Sequence, residues 1–337
     1  MQHQACNAVD IHTHVVPATF PRSLQGVAGW PSMEPTDSCH RNIVIDGKLY
    51  RTVSDACWNI PKRIAEMDTM GVHLQVVSPM PELFSYWLPF SAANDLLRYI
   101  NDQTAEAIAA SHGRLAGLAA VPLQDIDLAI AELTRACKHL GFAGVELGSN
   151  INGIPIGAPQ FDPFFAAAED LGAAIFVHAV KPTGMDRLVG PAALQQVLAY
   201  PTDVGLAAAS IITSNTITRF PRLRIAFSHG GGTLASLLPR LAEGVRVFPA
   251  LQDSITEDVY AQAQRFFYDT LVYDEPTLRH LLAVFGDTQL LVGTDYPFNF
   301  HERHPLRRID AAVADQDIRL KLRASNSSRF LNLETPR

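Results

Sequence analysis

The sequence predicts an α/β protein, a (β/α)8 barrel of the TIM type with a small β-hairpin insertion after the first strand. Three observations carry this expectation. Short apolar runs alternate with longer amphipathic segments, as strand–helix units repeated on a parallel sheet do. The runs number eight. Several end in a histidine or an aspartate, at the strand end where parallel barrels keep their active sites.

In chain order, the candidate strands are Ala8–His12, Leu74–Pro79, Leu115–Val121, Ala143–Leu147, Ala174–His178, Arg224–His229, Phe267–Thr270 and Gln289–Thr294. Most are dense in Val, Ile, Leu and Ala without polar alternation, as strands covered on both faces are. Helices are expected over Ala92–Ser111, Asp125–Leu140, Asp162–Leu171, Thr202–Phe220, Thr233–Arg246 and Glu275–Phe285. Asp125 and Asp162 stand where N-caps are useful, and Gly141 and Gly172 where helices stop. About 60 residues between the first two strands break the alternation. Within them Ile43–Val53 reads as a β-hairpin, because Asp46-Gly47 supplies the positive φ values of a tight turn. This insertion, about residues 20–60, is expected to lie over one mouth of the barrel. No internal repeat, low-complexity tract or linker is visible, so residues 1–337 are read as one domain.

Composition excludes several classes of function. The formal net charge is -7, with acidic and basic residues scattered rather than blocked. A nucleic-acid-binding surface needs a basic face or stripe, and a membrane-surface helix needs a basic amphipathic one. Met1–Asp10 holds no signal-peptide-like apolar run. The longest apolar stretches, such as Leu115–Val121 and Ala173–Val180, fall short of the ~20 residues of a membrane span. Cys6, Cys39, Cys57 and Cys137 form no CxxC pair. Reduced thiols in a cytoplasmic protein are therefore expected.

The chemistry is concentrated at strand tips. In Asp10-Ile11-His12-Thr13-His14, residues two apart on an extended strand point to the same side. His12 and His14 can thus aim two imidazoles at one divalent metal. His178 ends "AAIFVH", His229 ends "LRIAFSH" before three glycines, and Asp295 ends "QLLVGTD". A closed barrel brings these tips around one axis, which an open doubly wound sheet does not. The expected metal ligands are His12, His14, His178 and Asp295. Three nitrogens and one oxygen suit Zn²⁺, with Fe, Mn or Co as alternatives. Such an ion lowers the pKa of bound water to about 7. His229 is expected beside it as general base and acid, or as a fifth ligand.

These residues resemble the amidohydrolase superfamily in its branch of non-oxidative decarboxylases, most closely the 2-amino-3-carboxymuconate 6-semialdehyde decarboxylases. The resemblance extends over most of the chain through "DIHTHVVP", "DGKLYRTV", "CWNIPKRIAEMDTMGV", "FSYW", "GFAGVELG", "FPRLRIAFSHGGG" and "GTDYPF", in the family's order. It implies Zn-dependent removal of CO2 from a small unsaturated or aromatic carboxylate, without an organic cofactor. It also implies substrate-carboxylate binding by Arg51 and by Arg240 from the neighbouring subunit of a homodimer. In relatives acting on hydroxybenzoates the aspartate at the position of Asp295 is the proton donor, which makes Asp295 a catalytic candidate as well. A metal-dependent hydrolase of a lactone, C–C or amide bond is the alternative reading. One segment departs from the pattern. The family has Pro-Trp-Asp-Met after its fifth-strand histidine, whereas here Ala179-Val180-Lys181-Pro182 follows His178, and no tryptophan occurs before Tyr200. Lys181 and Arg187 in this segment add positive charge suited to a small anionic substrate.

Overall fold

The structure, a computed structural model, describes residues 8–22 and 26–333. Cys6 lies outside the described residues.

Eight strands lie in sequential order and pair in parallel. They are β1 (Ala8–Val15), β2 (Val72–Pro79), β3 (Leu115–Ala119), β4 (Gly144–Gly148), β5 (Ala174–His178), β6 (Arg224–Phe227), β7 (Phe267–Asp269) and β8 (Leu290–Leu291). The ends of the sheet meet. Asp10 bridges Val292, Thr13 bridges Tyr296, and Ile11 N–H donates to the Val292 carbonyl at 2.9 Å. The sheet is therefore the closed (β/α)8 barrel, with helices on its outside.

Two apolar layers follow from strands buried on both faces. Inside, Val9, Ile11, Val76, Leu118, Phe176, Phe267 and Leu291 fill the barrel. Phe330 of the last helix joins them at the strands' N-terminal end, where Arg224 at the start of β6 donates to its carbonyl. Outside, a larger cluster packs strands against helices. This leaves the C-terminal mouth as the place for polar chemistry.

Most predicted elements appear, with instructive differences. Asp125 caps the helix Ile126–His139 by accepting from Leu128 N–H at 3.0 Å. Asp162 does not cap: it is the first helical residue of Asp162–Leu171, and its carboxylate pairs with Arg219 instead. The single helix expected over Thr202–Phe220 is two, Tyr200–Thr213 and Thr216–Arg219. Asn215 separates them at φ 57°, a conformation its short amide side chain tolerates. The strand expected over Gln289–Thr294 shortens to Leu290–Leu291, because the chain then turns to carry Asp295 across the mouth. The predicted hairpin is present, with positive φ at Asp46 and Gly47. It gains a third antiparallel strand, Pro31–Pro35, against His40–Ile45.

Among the described residues no helix is long and apolar enough to cross a membrane. Cys39, Cys57 and Cys137 are free thiols.

Candidate metal centre and active site

His12 and His14 lie on β1, which carries a one-residue irregularity between Asp10 and Thr13 opposite β2. Such a bulge re-aims side chains. His178 ends β5. Asp295 is held against β1 by its backbone N–H, which donates to the His12 carbonyl at 2.8 Å. One donor atom from each of His12, His14, His178 and Asp295 falls within 4.8 Å of the other three.

The rings are oriented from behind. His12 Nδ1 meets Asp269 Oδ2 at 2.6 Å, and His178 Nδ1 meets the Ala179 carbonyl at 2.9 Å. His14 Nδ1 lies 3.5 Å from Ser78 Oγ. Each ring is thereby turned so that its Nε2 faces the centre. All three Nε2 atoms are buried and lack a hydrogen-bond partner. Buried polar atoms are seldom left so, and three converging imidazole nitrogens beside a carboxylate are the donor set a divalent transition metal takes. The residues present fit a metal ion.

The charges agree. Burial raises the pKa of Asp295, but the His14 imidazole, 3.1 Å from its Oδ1, and the other surrounding histidines outweigh it and hold the carboxyl below its ordinary range. Burial, followed by the neighbouring imidazoles, holds His178 well below its ordinary value and hence neutral. Asp269 is fully buried, and its bond to His12 keeps it ionised against that burial.

His229 stands beside this group and is not a member of it. Its ring centroid is 5.0 Å from that of His178 and 5.4 Å from that of His12. Its backbone takes φ 54° and is fastened to Asp269, which accepts His229 N–H at 2.9 Å and Gly230 N–H at 2.8 Å. Ser228 Oγ lies 3.0 Å from His229 Nδ1, leaving Nε2 for the cavity. Burial, then the charge on His12, pushes its pKa down to about 4. The imidazole is therefore neutral at ordinary pH, and it can hold a proton only transiently.

A cavity of about 260 Å³ opens above the centre, lined by His178, His229, Asp295, Arg51, Glu82 and Tyr200, among others. Arg51 enters from the hairpin strand Lys48–Ser54, with its guanidinium 4.7 Å above the Phe298 ring and an ion pair to Glu82 at 3.1 Å. Arg240 is elsewhere: it is exposed on the outer helix Leu234–Val247 and does not line this chain's cavity. Arg187 is likewise exposed. Lys181 stacks 4.3 Å over Trp87 and lines a neighbouring cavity.

Sequence reasoning did not single out Asp269, Glu82 or Tyr200. Asp269 carries the same signal as Asp295, an ionisable residue at the tip of an apolar strand, and that rule applied to β7 finds it. Glu82 sits in a short turn, Pro81–Phe84, where no pattern marks it.

The amidohydrolase family profile matches residues 9–333. The 2-amino-3-carboxymuconate-6-semialdehyde decarboxylase of Dictyostelium discoideum is 33% identical over 332 residues, covering 97% of this chain and 92% of that protein. The 6-methylsalicylic acid decarboxylase of Penicillium expansum is 27% identical, covering 87% of this chain and 86% of that one. Among solved structures, IDCase of Metarhizium anisopliae shares the fold with a TM-score of 0.82, at 22% identity over 98% of each chain. The family match spans nearly the whole described chain, and the chain belongs to the amidohydrolase family.

Proposed function

We propose that the protein is a metal-dependent, non-oxidative decarboxylase of a small unsaturated or aromatic carboxylate. One observation carries this reading: the cluster of His12, His14, His178 and Asp295 opens, through His178 and Asp295, onto the cavity that the Arg51 guanidinium and the neutral His229 also line. The relatives named decarboxylases support the reaction class.

His12, His14, His178 and Asp295 would hold the metal. This donor set suits Zn²⁺; Mn²⁺ stands beside it, since a dihydroxybenzoic acid decarboxylase from Polaromonas sp. was solved with bound manganese. The ion supplies Lewis acidity and lowers the pKa of water it binds. Arg51 presents planar donors that match a carboxylate bidentately. When the C–C bond to the carboxylate breaks, its electron pair stays on carbon and a proton must arrive there. His229 Nε2 would take a proton from a water in the cavity and deliver it to that carbon, the hydroxide left behind being reprotonated from solvent as CO2 departs, while Asp295 stays ionised toward the metal. The apolar wall of Phe298 and Leu271 limits competing protonation by solvent.

The protein is further read as a cytoplasmic homodimer with free thiols. In it Arg240, exposed near the apolar Leu237, Val247 and Phe248 of its own helix and the next residue, reaches the neighbouring subunit's substrate.

The test is CO2 release from 2-amino-3-carboxymuconate 6-semialdehyde and from 6-methylsalicylate, with metal-reconstituted and chelator-stripped protein compared. Metal-dependent CO2 from either supports decarboxylation. Metal-dependent opening of a lactone without CO2 release from either acid would make the protein a hydrolase instead.

A further inference from the structure

One carboxylate inside the barrel has no part in the reading above. Glu146 is the middle residue of β4. Its neighbours Val145 and Leu147 join the outer apolar cluster, so strand alternation turns Glu146 inward. It is fully buried, and neither of its oxygens has a partner in hydrogen-bonding geometry. Burying a carboxylate so poorly partnered opposes folding, and such a group in a native interior calls for a reason. Its Oε2 lies 3.8 Å from His14 Nδ1. Burial pushes the Glu146 pKa up to about 7, against the opposing pull of His14 and then of the Ser78 hydroxyl.

The surroundings of His14 give this acid a task. An imidazole that holds a metal is neutral, and its single proton must sit on the nitrogen turned away from the ion. Asp295 Oδ1 lies 3.1 Å from His14 Nε2, where it draws that proton to the atom a metal needs. Behind His12 the opposite pull comes from Asp269, at 2.6 Å. Behind His14 the Ser78 hydroxyl alone is a weak substitute: it donates to the Thr13 carbonyl at 3.2 Å and stands 3.5 Å from Nδ1. Resting on the metal-site reading above, we infer that Glu146 is a positioning residue whose carboxylate keeps the His14 proton on Nδ1, and so leaves Nε2 open to the metal. The attraction acts across 3.8 Å of a low-dielectric interior, where charge is poorly screened. Glu146 thereby weakens the metal-free fold and strengthens its hold on the ion.

The test compares wild type with Glu146→Gln and Glu146→Leu at pH 8, where the acid is ionised. Zn²⁺ affinity is measured by competition with a chelating indicator. On metal-stripped protein, Tm is measured, and the His14 tautomer is read from long-range 1H–15N spectra assigned with His14→Gln. Wild type should carry the His14 proton on Nδ1. Glu146→Gln keeps the shape and an acceptor but not the charge, and should weaken Zn²⁺ roughly tenfold; Glu146→Leu should approach roughly a hundredfold. Both metal-stripped variants should melt no lower than wild type, because a buried charge has been removed, and their His14 proton should move toward Nε2. A merely structural role predicts the contrary, a lower Tm with the tautomer unmoved. Equal Zn²⁺ affinity in all three proteins, an unmoved tautomer, or a Glu146→Gln protein that melts lower or does not fold overturns the inference. Two ions per wild-type chain, falling to one in the variants, would make Glu146 a ligand and overturn it as well. Wild type that takes up neither Zn²⁺ nor Mn²⁺ would overturn the metal-site reading itself, and this inference with it.

Discussion

A single carboxylate, Asp269, organises two different residues of the candidate centre. Its Oδ2 reaches His12 Nδ1 and the His229 backbone N–H, and its Oδ1 takes the Gly230 and Leu271 N–H groups. It thus orients one expected ligand ring and fixes the strained backbone from which His229 projects. His229→Ala should therefore retain its metal, measured by elemental analysis, and lose turnover by about 10²-fold or more, the scale of general acid–base catalysis. Substantial residual turnover would remove His229 from the reaction. With its pKa pushed down to about 4, wild-type kcat/KM should show no loss attributable to this group as pH falls through 6.5. The sign for stability is the reverse of a salt-bridged histidine. The unfolded imidazole takes up its proton near its ordinary 6.5 while the folded one resists until about 4. This group's contribution to stability is therefore lost as pH falls through that window.

At the scale of elements, the β7–β8–β1 edge leaves no room at Gly293. A β carbon there would stand 2.6 Å from Asp269 Cβ and 3.1 Å from His12 Cβ, so the close approach of three strands requires glycine. Gly293→Ala should push Asp269 away from His12. The expected outcome is a metal affinity lower by about 10- to 100-fold, the usual effect of disturbing a ligand's hydrogen-bond partner, together with a lower Tm. Unchanged metal affinity would mean the strands can part without disturbing His12. The helices that were anticipated came from apolar periodicity and end signals, as at Asp125 and Gly172. The break at Asn215 was missed although Thr213-Ser214-Asn215-Thr216 is a cluster of loop-favouring residues. There the Asn215 side chain bonds the Ser254 carbonyl and Thr256 N–H across the fold, contacts that only a folded chain has.

At the scale of the whole molecule, closure of the barrel turns residues as distant in sequence as His12 and Asp295 into neighbours. Whether a second chain completes the site is testable by complementation. Arg51→Ala and Arg240→Ala proteins should each bind an anionic substrate poorly. Unfolded and refolded together, they should regain part of the activity, because a mixed dimer contains one site with both arginines. No recovery in verified mixed dimers would place Arg240 outside the site.

The sequence by itself determined the barrel and the hairpin insertion, and it singled out His12, His14, His178, His229 and Asp295 as the candidates that the fold gathers at one end. All of these are written in local patterns: runs buried on both faces, an Asp-Gly turn, and ionisable residues at strand tips that a parallel barrel must collect at one end. Only the tertiary structure decided what those residues face. The turning of three Nε2 atoms inward by Asp269, the Ala179 carbonyl and Ser78, and the seating of Glu82 between Arg51 and Tyr200, rest on contacts between strands and loops far apart in the chain. A hydrogen bond across the mouth of a barrel depends on distances set by closure, and a local pattern does not contain them.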